Sequence, residues 1–314
     1  MGNFRIAASG LLLPDGPFNL RHLRPPESSN SLDSNSNSND PPPETSNSLD
    51  SNSSSNNITP SAETQQYLDR LATPPSEERI VVVNDFINNL VAGGTWTNLD
   101  ILVCPFLAEN QADALVDLKN LNFTGSEVNS PTWTIKEGYS FNGTNQSVDM
   151  VWNPNSGGSN FAPNSASFGV WVTAHPGATS TTKKSGSVDA TASHELSMCP
   201  RNADGDPRGR INSNADISNS FPGTNGVGLF HINRSASNAA QYYKNGVAGG
   251  TSGNVAGGRS SRTMHIGAFN NNGTITGWHQ ATYAAWYASN SKSAAVVLDI
   301  YNRFIAAKAA IDAI

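Results

Sequence analysis

From about Phe123 onward, short apolar runs alternate with Gly, Asn and Ser turns, and this punctuation constrains the fold more than any other feature of the chain. The runs are GYSFNG from Gly138, SVDMVW from Ser147, SFGVWVTAH from Ser167 and HELSMCP from His194. VGLFHINR from Val227, AQYYKNG from Ala240, TMHIGAFN from Thr263 and QATYAAWYA from Gln280 continue the series. Helices of ordinary length do not fit between turns so closely placed, whereas strands do. Asn245-Gly246 between two such runs is the dipeptide that a tight hairpin selects, because both positions need positive φ. The expectation is a mainly β fold, an antiparallel two-sheet jelly-roll sandwich.

Helical patterns flank this region. Thr59-Pro60 reads as an N-cap and first-turn pair, with Glu63 near the start and the segment running to about Leu71. Residues 76–92 carry Ile80, Val83, Phe86, Ile87, Leu90 and Val91 at helical spacing, stopped by Gly93-Gly94. A third helical piece is expected near residues 98–107 and a fourth from Asn110. The last helix is expected over residues 291–310, capped by Ser291, with Val296, Val297, Ile300, Phe304 and Ile305 on its apolar face. The predicted organisation is a helical lead-in over 59–120 and a sandwich with a terminal helix over 121–314.

The N-terminal part is different. Residues 1–26 mix apolar and basic groups, and residues 27–58 are almost entirely Ser, Asn, Asp and Pro. Such a composition buries too little surface to offset the entropy of ordering. SNSLDSNSNSN at 29–39 recurs as SNSLDSNSSSN at 46–56, either by slippage of a simple repeat or as paired docking peptides anchored by Leu32 and Leu49. As a flexible coil the spacer spans ~30 Å, and about 100 Å if extended. The pattern predicts a tether: an anchoring segment with Phe4, Ile6, Leu11, Leu12, Phe18 and Leu20, then a flexible spacer, then a presented domain.

No apolar run approaches the ~20 residues that span a bilayer, so no membrane insertion is expected. The first residues make a poor signal peptide, because Pro14 cuts a short apolar stretch. Assembly within a cell and release by lysis, as virus particles are released, would reconcile that with an extracellular role. A net charge of −6 leaves no basic footprint for nucleic acid. Cys104 lies in the apolar run ILVCPFL and Cys199 in HELSMCP; two buried thiols are preferred to a disulfide, since a core of this size needs no staple.

GYSFNGTNQSVDM, FGVWV, NAAQYYKNGV and MHIGAFNNNGTITGWHQATYAAWYASNSK, in this order, resemble the strands of concanavalin A-like, laminin-G-like jelly rolls. The stretch from Glu77 through WTNLDILVCPFLAENQADALVDLKN is similar to the lead-in of such domains in bacteriophage structural and tail-fibre-like proteins. The resemblance implies a surface-exposed virion structural protein, a head or tail appendage, fibre or decoration protein. It would contact other virion proteins through its N-terminal segment and present a lectin-like domain to a host-surface glycan, with homo-oligomerisation open. A non-viral carbohydrate-binding adhesin and a divergent glycoside hydrolase are the alternatives.

The chemistry favours binding over catalysis, and no enzymatic activity is expected. Glucan-cutting enzymes of this fold resemble one another in a strand motif of closely spaced acids, and it is absent: Glu195 is followed by Leu, Ser and Met, and Glu127 and Glu137 have no acidic partner at that spacing. No G-x-S-x-G, P-loop or H-E-x-x-H occurs. Asn202, Asp204 and Asp206 alternate around Gly205, which suits calcium or an ordinary turn; no other cofactor is expected. For a sugar one wants an exposed aromatic beside amides. Asn270, Asn271, Asn272, Trp278 and His279 supply that composition, as does Trp152 beside Asn153 and Asn155, although Trp278 could instead close the core while the asparagines make turns.

Overall fold

A computed structural model describes residues 58–177, 184–217, 221 and 223–314. The anchoring residues Phe4, Ile6, Leu11, Leu12, Phe18 and Leu20 and the repeated spacer lie outside the described residues. Helix α1 (Ala62–Leu68) is capped by Ser61, whose hydroxyl accepts from the Thr64 amide, two residues beyond the expected cap. Helix α2 (Glu77–Ala92) starts where the pattern placed it, and Val82, Val83, Phe86, Ile87 and Leu90 are its buried stripe.

Sixteen strands follow among the described residues. They are β1 (Leu99–Val103), β2 (Ser126–Val128), β3 (Thr132–Thr134), β4 (Gly138–Ser140), β5 (Ser147–Asp149), β6 (Ala166–Ala174), β7 (Ser185–Val188) and β8 (Leu196–Cys199). Then come β9 (Arg208–Ile211), β10 (Gly228–Ala236), β11 (Ala239–Lys244), β12 (Val247–Ser252), β13 (His265–Ile266), β14 (Phe269–Asn271), β15 (Thr274–Thr276) and β16 (Thr282–Ser289). Helix α3 (Ala294–Ala313) closes the chain.

The strands form two sheets. The first runs β12-β11-β10-β6-β16-β4-β3, with β1 also on β16; the second runs β15-β14-β7-β13-β5-β2, with β8 on β7 and β9 on β8. Pairing is antiparallel except between β14 and β7, which are parallel. The mainly β two-sheet sandwich with a C-terminal helix is therefore the fold.

Four strands of the first sheet, β1, β6, β10 and β16, are buried on both faces. On β6, Phe168, Val170 and Val172 point between the sheets, while Trp171 points outward to meet Phe106 and Phe304 at ring distances of 5.3 and 5.6 Å. On β10, Phe230 and Ile232 face inward and Leu229 outward. On β16 a bulge between Tyr283 and Ala285 shifts the alternation, so Tyr283, Trp286 and Ala288 enter the sandwich core while Ala284, Ala285 and Tyr287 face the helices. Helices α2 and α3 thus cover one sheet from outside and give the domain a second hydrophobic layer.

Two expected helices are absent. Residues 99–103 are a strand, pairing Leu99 with Ser289 and Val103 with Trp286. A run buried at every position has no period, and here Ile101 and Val103 face one core and Leu99 and Leu102 the other. β1 thus belongs to the first sheet although it precedes residue 120. From Asn110 only a single 3-10 turn forms, Gln111–Asp113. Beyond it the Asp117 carboxylate takes the amides of Leu102, Lys119 and Asn120 and holds the chain as a loop. Helix α3 is capped by Ser293 rather than Ser291 and buries Val297, Ile300, Phe304, Ala307 and Ile311, leaving Ile305 exposed. Cys104 and Cys199 are buried free thiols. Among the described residues no helix is long and apolar enough to cross a membrane.

Candidate functional site

The outer face of the second sheet carries an open groove of 520 Å³. Strand periodicity builds it. On β8 and β9, Leu196, Met198 and Ile211 point into the core, so Ser197, Cys199, Arg208 and Arg210 line the opposite face. The register places Arg210 opposite Ser197 and Arg208 opposite Cys199. Phe269 and Asn271 of β14 and Thr276 of β15 form another wall. Lys184 reaches in just before β7, its backbone amide held by the Gly277 carbonyl at 3.0 Å.

Charge in the groove is organised by Glu195. Its Oε1 accepts from Lys184 Nζ and from Ser197 Oγ, and its Oε2 accepts from Arg210 Nη1 at 2.7 Å. Arg210 Nε also donates to Asp216 Oδ1 at 2.7 Å, and Arg208 Nη1 lies 3.5 Å from Asp216 Oδ2. Burial works against the Arg210 charge, but Asp216 and Glu195 outweigh it and hold the guanidinium above its ordinary value. The Lys184 ammonium sits 4.1 Å from the centre of the Phe269 ring, which occupies that aromatic face. Three cations thus meet two carboxylates in a chain whose overall charge is negative.

The amide-rich loop contributes less than its composition suggested. Asn271 lines the groove. Asn270 is buried, donating to the Thr263 carbonyl at 3.1 Å and accepting from the Gly273 amide at 2.8 Å, so it builds the turn. Asn272 is exposed at the hairpin tip with φ +52° and accepts from Arg262. Trp278 is half-buried and does not line the groove. His279 is fully buried, with Nδ1 2.6 Å from the Tyr283 hydroxyl and Nε2 3.0 Å from Nε2 of His175. Trp152 is likewise buried, packed edge-on against Phe161, and so is not a stacking platform.

The Asn202–Asp204–Asp206 loop is an Asx turn. Asn202 is buried, and its Oδ1 accepts from the amides of Asp204 and Asp206, both at 2.9 Å. That oxygen faces donors, the opposite of what a cation requires. Asp204 is paired with Arg208 at 3.3 Å. Among the described residues no group of three or more His, Cys, Asp or Glu could hold a metal ion.

Lys184, Glu195, Arg208, Arg210 and Asp216 were not anticipated. The local signal was RGRI at 208–211, in which arginine and a small or apolar residue alternate with period two. That pattern marks a strand with one charged face, but not what lies opposite it.

Fold and groove together define a two-sheet β-sandwich with an open, charged ligand-sized concavity on one sheet. No family model matches the chain and no curated protein matches it. Among solved structures it is similar to domain 4 of AbnA, a GH43 extracellular arabinanase from Geobacillus stearothermophilus in complex with arabinotriose (16% identity, TM-score 0.47), over 65% of this chain and 98% of that one. It is also similar to a mutant Trypanosoma rangeli sialidase displaying trans-sialidase activity (14% identity, TM-score 0.48; 72% and 38%). A third likeness is to the botulinum neurotoxin serotype D binding domain (11% identity, TM-score 0.43; 66% and 52%). The chain spans about half or less of the latter two, and at these identities the likeness assigns no ligand.

Proposed function

We propose that the sandwich is a non-catalytic saccharide-binding attachment domain, with its ligand in the groove between β8–β9 and β14–β15. The carrying observation is the convergence there of Arg208, Arg210, Lys184, Asp216 and Asn271 around 520 Å³ of open space. Sugar hydroxyls both donate and accept, and this wall offers guanidinium donors, a carboxylate acceptor and an amide within one concavity. The excess of cations favours a saccharide bearing a carboxylate or sulfate, because guanidinium groups hydrogen-bond such anions in a bidentate manner.

Binding without cleavage is supported by the use of Glu195. Both its oxygens are occupied by Lys184, Ser197 and Arg210, so Glu195 is not free to protonate a leaving group. The finer setting, a bacteriophage appendage displayed on the virion surface and anchored by residues 1–26, rests on the sequence resemblance and on the tether composition of residues 27–58. A non-viral adhesin is compatible with the same groove.

Titrating the full chain with acidic and neutral oligosaccharides tests the groove. Acidic saccharides should bind, and Arg210→Ala should abolish that binding. Binding unaffected by Arg210→Ala, or hydrolysis of any bound saccharide, would sink the proposal. For the setting, a chain lacking residues 1–26 should fail to enter particles; normal incorporation would remove the virion reading.

A further inference from the structure

The outer face of the first sheet changes character away from its helices. Beneath α2 and α3 it is apolar, through Trp171, Leu229 and Tyr287. Beyond them, over β10, β11 and β12, the same outward positions become Asn233, Ser235, Gln241, Tyr243 and Thr251. These residues, with Asn238 at the β10–β11 turn and the start of α3, enclose a second groove of 590 Å³. It lies on the opposite sheet from the first.

Its chemistry differs from that of the charged groove. No acidic side chain lines it, and Lys292 is its one cation. Lys292 is itself buried against Asn290 Oδ1, so the charge is turned to the wall rather than offered to the opening. The floor is ordered. Asn233 is buried, and its Oδ1 accepts from Ser167 Oγ at 2.6 Å and from the Lys292 amide at 2.7 Å, which leaves Nδ2 as its donor on the groove side. Tyr243 is 3% exposed and donates from its hydroxyl to Gln241 Oε1 at 3.1 Å, which fixes the glutamine amide over the sheet. Ser235, Asn238 and Thr251 stand exposed at the rim. The face thus presents short amides and hydroxyls on a floor held by hydrogen bonds.

We infer that this face is a saccharide site for neutral sugars; only together with the proposed charged groove would it make the domain bivalent across its two sheets. Uncharged amide and hydroxyl groups can satisfy both the donor and acceptor sides of pyranose hydroxyls. With no free charge to desolvate, nothing in the groove favours an anionic ligand over a neutral one. The inference does not depend on the charged groove, because the two share no residue.

The test is isothermal titration of the full-length protein with neutral malto-, manno- and chito-oligosaccharides. At least one series should bind, and the double variant Asn238→Ala/Gln241→Ala should weaken that binding by roughly tenfold or more, a loss of about 1.4 kcal/mol. Arg210→Ala should leave it within about twofold while removing acidic-saccharide binding. Ser235→Ala/Thr251→Val, confined to the rim, provides a second pair should the first lower the thermal midpoint. The inference is overturned if no neutral series binds the folded protein, or if neutral binding is lost in Arg210→Ala and kept in both groove pairs.

Discussion

Arg210 Nη1 lies 2.7 Å from Glu195 Oε2, and this one contact links β9 to the residue just before β8. Glu195 is only 5% exposed, so its carboxylate oxygens are met by the partners that the fold supplies rather than by water. The contact therefore serves the sheet and the groove at once.

Removing the guanidinium should separate these two roles. Arg210→Ala leaves Glu195 to Lys184 and Ser197 and leaves Asp216 to Arg208, and should destabilise the protein by about 1–3 kcal/mol, the usual penalty for depriving a largely buried polar group of a partner. Urea denaturation reads this as a lower midpoint with an unchanged slope. Arg210→Lys should recover part of the stability but little of the saccharide binding, because an ammonium cannot reproduce the fork.

The helical layer should matter to stability and not to the groove. Phe304 packs on Phe86, Phe106, Trp171 and Tyr287. Phe304→Ala should lose about 3–5 kcal/mol, as large-to-small changes at fully buried aromatics do. Acidic-saccharide affinity, measured below the unfolding midpoint, should stay unchanged.

The β11–β12 hairpin gives a backbone test. Asn245 and Gly246 have φ of +52° and +78°, as a two-residue turn of this hand requires. A Cβ on Gly246 would also lie 2.6 Å from Leu298 Cδ1. Gly246→Ala should therefore lower stability by about 1–2 kcal/mol, seen as a fall in thermal midpoint, whereas Val247→Thr at the exposed neighbouring position should change it little.

Acid should unfold the domain partly through His231. Its ring is fully buried, with Nδ1 2.6 Å from the Tyr287 hydroxyl, and burial followed by the nearby Lys292 charge lowers its pKa from 6.5 to about 3. The fold holds the neutral form, so the unfolded chain binds the extra proton. The contribution is complete above about pH 6.5 and is lost as pH falls toward about 3, at about 1.4 kcal/mol per pH unit within that window. Stability measured against pH should fall less steeply in His231→Phe than in the wild type over the same range.

The two thiols should be inert in the folded protein. Burial raises both, Cys199 to about 12 and Cys104 well above the ordinary thiol value, so neither supplies thiolate at neutral pH. Iodoacetamide at pH 8 should leave both unmodified without denaturant and alkylate both in urea, read by intact mass. Rapid labelling of Cys199, which lines the groove wall, would contradict its burial.

Much of the architecture was legible in local pattern. Turn spacing and short apolar runs are set by residues close in sequence, so the strands around Gly138, Ser167, Val227 and Gln280 fall where that punctuation placed them. Helix α2 and the body of α3 follow from 3.6-residue periodicity in the same way. Leu99–Val103 was misread because its partner is the far end of the chain, Trp286 to Ser289, and a run buried on both faces carries no period to betray a strand.

The candidate sites show the same division more sharply. Composition singled out Asn270, Trp278, His279 and Trp152, but composition does not record which side of a strand faces solvent; three of the four are not accessible ligand groups, and Trp278 lies outside the groove. The sequence alone determined that this chain makes a β-sandwich with helical flanks behind a low-complexity spacer, because those features are written in local periodicity and composition. Only the tertiary structure brought Lys184, Glu195, Arg210 and Asp216 onto one face, because cross-strand register, not proximity in sequence, decides which side chains meet.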